Sequence, residues 1–246
     1  MTSPESLRKI DSYWAAYFGC RPEDFQKPGT RVLPHAALMG YPGVLAFRRG
    51  PSCVVSIPEM LPGRIVDEIS RRSPEEVLDH DFLASVFGND VDTVNGPAWL
   101  GVADPGDFRP APHPSVKLLD LGRDMPALRR LAEACGELAW RQSKILYDRH
   151  PLFGYFEGGE IMAASAYAVL GGVLGYIGVV SHPGHRGHGY GRAVVTASME
   201  HALGKGLICQ WRTLRTNGPA IALAGRIGFQ EYAGTVDVRL IESYFY

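Results

Sequence analysis

From Val179 to Ala193 the chain reads Val-Val-Ser-His-Pro-Gly-His-Arg-Gly-His-Gly-Tyr-Gly-Arg-Ala. An apolar run suited to a buried strand leads into this stretch and an amphipathic run suited to a helix leaves it, so the junction must be a turn made of glycine and positive charge. Gly187, Gly189 and Gly191 stand at alternate positions and let backbone N–H groups approach an anion closely. The following helix adds the positive end of its dipole, and Arg186 and Arg192 bracket the turn. Such a junction is expected to hold a phosphate.

Spacing separates the known phosphate loops. A dinucleotide-binding turn needs its third glycine at position 192, where Arg stands, and a P-loop starting at Gly184 needs Lys-Ser/Thr where Tyr190-Gly191 stand. The pattern Arg/Gln-x-x-Gly-x-Gly/Ala is met by Arg186, Gly189 and Gly191, and downstream Asn217, Ala220, Gly228 and Phe229 supply Asn-x-x-Ala ending in Gly-Phe. One helix and one strand fill the interval. On these residues the stretch from about Val116 to Leu240 resembles the GNAT superfamily of acetyl-CoA-dependent N-acetyltransferases.

The resemblance implies an α/β (α+β) fold with a mixed, mostly antiparallel sheet flanked by helices, here preceded by a smaller α+β domain. It implies acetyl-CoA as co-substrate. In that family the strand before the loop parts from its neighbour, and the pantetheine arm bonds to the exposed main chain. Gly178, Val179 and Val180 occupy those positions, and Arg186, Gly187, His188, Gly189, Tyr190, Gly191, Arg192 and Asn217 are the remaining cofactor contacts it implies. The acceptor would be a primary amine of a small molecule or peptide, and since an alkyl ammonium with pKa near ~10 is mostly protonated at neutral pH, a base must act before attack. Here the chain departs from the family: Ile177 and Gly175 stand where Glu or His is common, and Ala224 stands where Tyr commonly protonates the leaving thiolate. The catalytic side chains are therefore left open, with Glu157, Glu160 and Tyr176 as candidates. Trp140, Arg141 and Arg212 are candidates for contact with the acceptor.

Two other readings stand beside the transferase. One is a coenzyme A-binding sensor or scaffold without catalysis, favoured by the missing Glu/His and Tyr. The other is a loop that binds a nucleotide phosphate. A metal reading of His182, His185 and His188 is set aside, because their spacing falls on a Pro-Gly loop and no carboxylate or Cys completes a ligand set; no metal is expected.

Composition narrows the partners. With 25 basic and 26 acidic residues the chain is nearly neutral, which argues against nucleic acid or an anionic membrane surface. The uncharged run Ile161–Ser181 is long enough to span a bilayer, but Gly171-Gly172 interrupts it, and two strands joined by a turn explain it better. Four cysteines lie far apart and the first ten residues hold no apolar signal core, which together read as a cytoplasmic protein with reduced thiols.

In order along the chain, an amphipathic helix is expected to end at Gly19, followed by strands at Arg31–Leu33, Val44–Phe47 and Cys53–Ile57. Ser73-Pro-Glu-Glu76 reads as a capping box opening one helix through Val77, Leu78, Phe82 and Val86, with a strand at Ala98–Val102 beyond it. Pro105, Pro110, Pro112 and Pro114 break regular structure, so a linker is placed at 105–114 between an N-terminal α+β domain, 1–104, and the acetyltransferase-like domain, 115–246. The N-terminal part matches no family motif; shaping the substrate site or forming a homodimer is the role expected of it. The second domain is read as strand Val116–Leu121, a helix from Met125 capped by Asp124, and a helix Glu137–Leu146. A hairpin of Leu152–Phe156 with Ile161–Leu170, strand Val173–Val180, the loop and its helix to Gly204, strand Leu207–Leu214, helix Pro219–Ile227 and strand Phe229–Leu240 complete it.

Overall fold

The computed structural model describes residues 1–145 and 151–241. The first part of the chain forms α1 (Pro4–Phe18), β1 (Gly29–Pro34), β2 (Gly43–Arg49), β3 (Ser52–Ile57), α2 (Gly63–Ser70), α3 (Pro74–Val77), α4 (His80–Phe87) and β4 (Val91–Ala103). Then come β5 (Val116–Leu118), α5 (Leu121–Cys135), α6 (Glu137–Ser143), β6 (Leu152–Glu157), β7 (Glu160–Leu170) and β8 (Leu174–Ser181). The chain continues with α7 (Tyr190–Gly204), β9 (Ile208–Leu214), α8 (Gly218–Ile227) and β10 (Gln230–Leu240). It is a mixed α/β protein with mostly antiparallel strands flanked by helices.

Two compact units make up the chain, and their boundaries are not linear in sequence. One gathers Met1–Ser3, Val102–Trp211 and Ala222–Gln230; the other gathers Pro4–Gly101, Arg212–Ile221 and the chain from Glu231. In the first unit the strands run in the order β5-β6-β7-β8-β9. β6, β7 and β8 pair antiparallel, and β9 runs parallel to β8. Helix α5 covers one face of this sheet through Leu128 and Leu131, packed against Leu152, Ile161, Ala164 and Val180. On α7, Ala193 and Val194 pack with Tyr155 and Ala163. In the second unit the order is β1-β3-β2-β10-β4, and α2, α3 and α4 pack Ile65, Ile69, Val77 and Leu83 with Val44, Val55, Val236 and Val238.

Several expectations are met and several are corrected. The hairpin, β8, α7, β9, α8 and β10 lie within a residue or two of their expected limits. The helix expected from Ser73 to Val86 is two helices. Ser73 and Glu76 do form the reciprocal capping box, but α3 ends after one turn and Asp79 opens α4, accepting from the N–H groups of Asp81 at 2.7 Å and Phe82 at 3.3 Å. Helix α5 starts at Leu121 with Asp120 as N-cap, because Asp120 Oδ1 takes the Gly122 N–H at 2.9 Å. Asp124, expected to be the cap, is inside the helix and reaches back to the Asp120 N–H at 2.9 Å. β5 is correspondingly shorter than expected. Helix α2 was not expected, and β4 starts seven residues before its expected limit of Ala98. α6 ends at Ser143, and its expected limit, Leu146, lies outside the described residues.

The segment 104–114 has no helix or strand, as its prolines require. It is nonetheless tied into the first unit: the Arg109 N–H donates to the Ile227 carbonyl at 2.8 Å, and the Ala111 N–H to Thr196 Oγ1 at 3.3 Å. Replacing Asp79 by Ala removes the acceptor for two N–H groups at the start of α4, and is expected to cost about 1 kcal/mol. Chemical denaturation of the Asp79→Ala variant checks this, with a loss below a few tenths of a kcal/mol counting against the cap.

Candidate active site

Strand β8 carries the site. It pairs with β7 along its whole length, from Leu170↔Leu174 to Ala163↔Ser181. Its parallel ladder with β9 is shorter, holding only Leu174↔Ile208, Gly175↔Cys209 and Tyr176↔Gln210. Ile177 and Trp211, next in both strands, do not pair, so among the described residues β8 is paired on one side only from Ile177 onward. This is the parting that the resemblance implies for Gly178, Val179 and Val180.

Gly178 marks the point of closest approach on the α6 side. A Cβ there would stand 2.2 Å from the Ser143 carbonyl oxygen and 3.4 Å from the Lys144 carbonyl carbon. Lys144 holds the left-handed conformation at φ 60°, which turns the end of α6 onto β8. From the neighbouring strand, the buried Ser165 hydroxyl donates to the Gly178 carbonyl at 2.8 Å. Ser165, Ser143 and Lys144 were not singled out from the sequence. The visible signal for Ser165 was one hydroxyl inside the apolar run of β7.

Beyond Ser181 a single turn, Pro183–His185, leads to the glycine loop. His182 Nδ1 accepts the Gly184 N–H at 3.1 Å. Gly187 and Gly189 lie at φ 84° and 85°, where side chains are strained, and α7 begins directly after Gly189. Among the described residues no side chain caps this helix, so its first-turn N–H groups are left for another acceptor. Arg192, in that turn, has its Nε buried and without a hydrogen-bond partner among the described residues. An anion at the start of α7 would satisfy both, so the residues present fit a diphosphate. His188 Nδ1 lies 3.2 Å and 3.1 Å from the carbonyls of His185 and Arg186, so it is the nitrogen that carries hydrogen. Among the described residues, no group of three or more His, Cys, Asp or Glu is placed to hold a metal ion.

Residues 122–229 match the model of the acetyltransferase (GNAT) family. This part of the chain is a GNAT acetyltransferase domain. A GNAT-family acetyltransferase from Colwellia psychrerythraea is 18% identical, with 64% of this chain and 60% of that one covered and a TM-score of 0.50. A GCN5-related N-acetyltransferase from Kribbella flavida is 18% identical over 64% and 63% of the two chains, at a TM-score of 0.48. A GCN5-related N-acetyltransferase-like protein from Streptococcus suis is 16% identical over 95% and 98%, at 0.45. The match thus spans about three fifths of the Colwellia and Kribbella chains. No curated protein matches the chain.

Two of the GNAT motif residues have a physical reason in the structure. Gly228, at φ 118°, lies where a Cβ would stand 2.0 Å from the Asp107 carbonyl oxygen. Asn217 Oδ1 accepts the Ala220 N–H at 3.2 Å at the start of α8, and Asn217 is exposed. The other candidates are placed as follows. Glu160 makes a two-pronged ion pair with Arg130, at 2.8 Å and 3.0 Å, on the outside of α5. Glu157, at the end of β6, accepts from the Tyr190 hydroxyl at 2.8 Å. Tyr176 stands in the last paired position before β8 and β9 part. Trp140 is half-buried against the α5 core, and Arg141 is exposed one residue on. Arg212 donates from Nε to Thr235 Oγ1 at 2.9 Å and from Nη2 to Asp237 Oδ1 at 2.8 Å. The structure therefore brings the loop residues 186–192 together with Glu157, and engages Glu160 and Arg212 in ion pairs.

Replacing Gly178 by Ala pushes a methyl group into the Ser143 carbonyl, which the main chain can relieve only by moving. The expected loss is on the order of 1–3 kcal/mol. Gly225→Ala, where nothing stands within 4 Å of the added carbon, is expected to be neutral or stabilising by up to about 1 kcal/mol. Thermal melts of the two variants check the contrast.

Proposed function

We propose that this protein is an N-acetyltransferase that moves the acetyl group of acetyl-CoA to a primary amine by direct attack. The observation that carries the reading is the early end of the β8–β9 ladder directly before an uncapped, glycine-started helix. Coenzyme A has an anionic diphosphate at one end and an amide-bearing arm at the other, and these two features match its two halves. The N–H groups at the start of α7, with Arg186 and Arg192, would hold the diphosphate. The main chain of Gly178, Val179 and Val180 would take the arm as an added strand does. When bound, acetyl-CoA supplies an activated acyl carbon. A β8 main-chain N–H directed at its oxygen would stabilise the charge that develops there.

The group that takes the amine proton stays open. Tyr176, the candidate nearest to the parting along β8, is a phenol and suits donation to the departing thiolate, whereas Glu157 accepts from Tyr190 and Glu160 is paired with Arg130. The four cysteines are free, which supports a cytoplasmic protein with reduced thiols. Nucleic acid and membrane are outside the proposal, and a homodimer is compatible with it.

The second reading, a coenzyme A-binding sensor, is favoured by Ala224, fully buried where the family commonly has Tyr, and by Ile177 and Gly175 on β8. Two measurements separate the readings. Calorimetry is expected to show coenzyme A binding, with Arg186→Ala and Arg192→Ala each weakening it by on the order of tenfold. Thiol release from acetyl-CoA in the presence of a panel of amines is expected for the transferase. Tight binding with no release for any amine favours the sensor, and protection by ATP or NAD but none by coenzyme A overturns both.

A further inference from the structure

The start of α7 is held by a side-chain contact that neither the glycine loop nor the helix itself requires. Tyr190, its first residue, is 9% exposed. Its ring stacks on Tyr155, with centroids 4.3 Å apart and planes at 23°, and on His188 at 5.5 Å and 25°. The Tyr190 hydroxyl donates to Glu157 Oε2 at 2.8 Å, and this bond to a carboxylate raises the Tyr190 pKa above that of an ordinary tyrosine. Tyr155 continues the series to His113, at 4.8 Å between centroids. His113 Nδ1 accepts the Ser115 N–H, so its Nε2, 3.4 Å from the Tyr155 hydroxyl, is the nitrogen that donates. Four rings thus run from the 104–114 segment past β6 to the glycine loop, three of them, Tyr155, Tyr190 and His188, between β6 and the loop.

Glu157 is the last residue of β6 and pairs with Glu160 across the hairpin turn, and Glu160 is anchored to α5 by Arg130. A residue that only filled space between β6 and α7 could be phenylalanine. The hydroxyl adds a direction, since it must meet a carboxylate at one point. Rotating the first turn of α7 would break that bond and unstack two rings. We infer that Glu157 and Tyr190 are positioning residues: their hydrogen bond sets the orientation of the N–H groups at the start of α7 that take up the diphosphate of coenzyme A. The inference rests on the proposed function.

Calorimetric titration of coenzyme A into the full chain tests it. Tyr190→Phe and Glu157→Leu are each expected to weaken binding by roughly tenfold or more, since a hydrogen bond to a charged group is lost. The double variant is expected to bind within about twofold of the weaker single variant, because one contact is removed in each case. Glu157→Gln keeps an acceptor and is expected to stay within about threefold of wild type. In acetyl transfer the loss is expected to fall on KM for acetyl-CoA more than on kcat. Tyr167→Phe is the stability control: it removes another hydroxyl contact to α7, 2.8 Å to His201 Nδ1, at the opposite end of the helix. It is expected to lower Tm comparably and to leave coenzyme A affinity unchanged. Wild-type affinity in Tyr190→Phe, additive losses in the double variant, or an equal loss in Tyr167→Phe overturns the inference and leaves the proposed function standing. A wild-type chain that does not bind coenzyme A overturns the proposed function, and the inference with it.

Discussion

A parallel pair of strands that separates after three residue pairs is the constraint around which the GNAT domain is arranged. Backbone N–H and C=O groups in a protein interior need partners, and a strand with a neighbour on one side only leaves half of them seeking another. β8 tolerates this because β7 holds it to its last residue and because Ser165 takes up the Gly178 carbonyl. The open side is thus rigid, which suits the addition of an extended ligand. The end of α6 closes against the same strand at Gly178, with the strained turn at Lys144 setting the approach.

Most of this was legible where sequence pattern and local physics coincide. Glycines at 187 and 189 stand at positive φ, and Val194, Val195, Met199 and Ala202 of α7 are buried together with Thr196 and Ser198, so the loop and much of its helix are readable from residue type. The Gly of Gly-Phe was recognisable as a motif, but its reason, the carbonyl of Asp107 against Gly228, lies 121 positions away in sequence and has no local signal. Asp124 resembles a cap for a physical reason: it does accept a backbone N–H near the start of the helix, that of Asp120, and Pro126 sits in what would be the first turn of a helix starting at Met125. The long helix expected after Ser73 failed because its apolar spacing suits one helix or two, and the Asp79 cap decides between them. Helix α2 buries only Ile65 and Ile69, too little periodicity to be noticed. The first half of β4 packs only Val91 and Val94 on the core, and with Asp92, Thr93, Asn95 and Pro97 between and beyond them it shows no alternating apolar pattern.

The catalytic side chains were the least legible, and chemistry explains why. Much of the work assigned to this site falls to main-chain groups, and main-chain groups leave no mark on residue type. The side chains that do mark the area mostly serve one another. Glu160 neutralises Arg130, Glu157 serves Tyr190, and the His182, His185 and His188 rings lie against each other at 4.9 Å and 6.2 Å.

The irregular stretch after β4 has a bearing on how this domain can be handled. Asp107 accepts from Thr2 and from Gln230, its carbonyl abuts Gly228, and two residues later Arg109 binds the end of α8. A chain trimmed to the motif-bearing region would strip the Ile227 carbonyl and the Thr196 hydroxyl of their donors and leave the hollow beside Gly228 bare. The proline-rich passage is bonded into the first unit, and a chain cut down to that unit has to carry it.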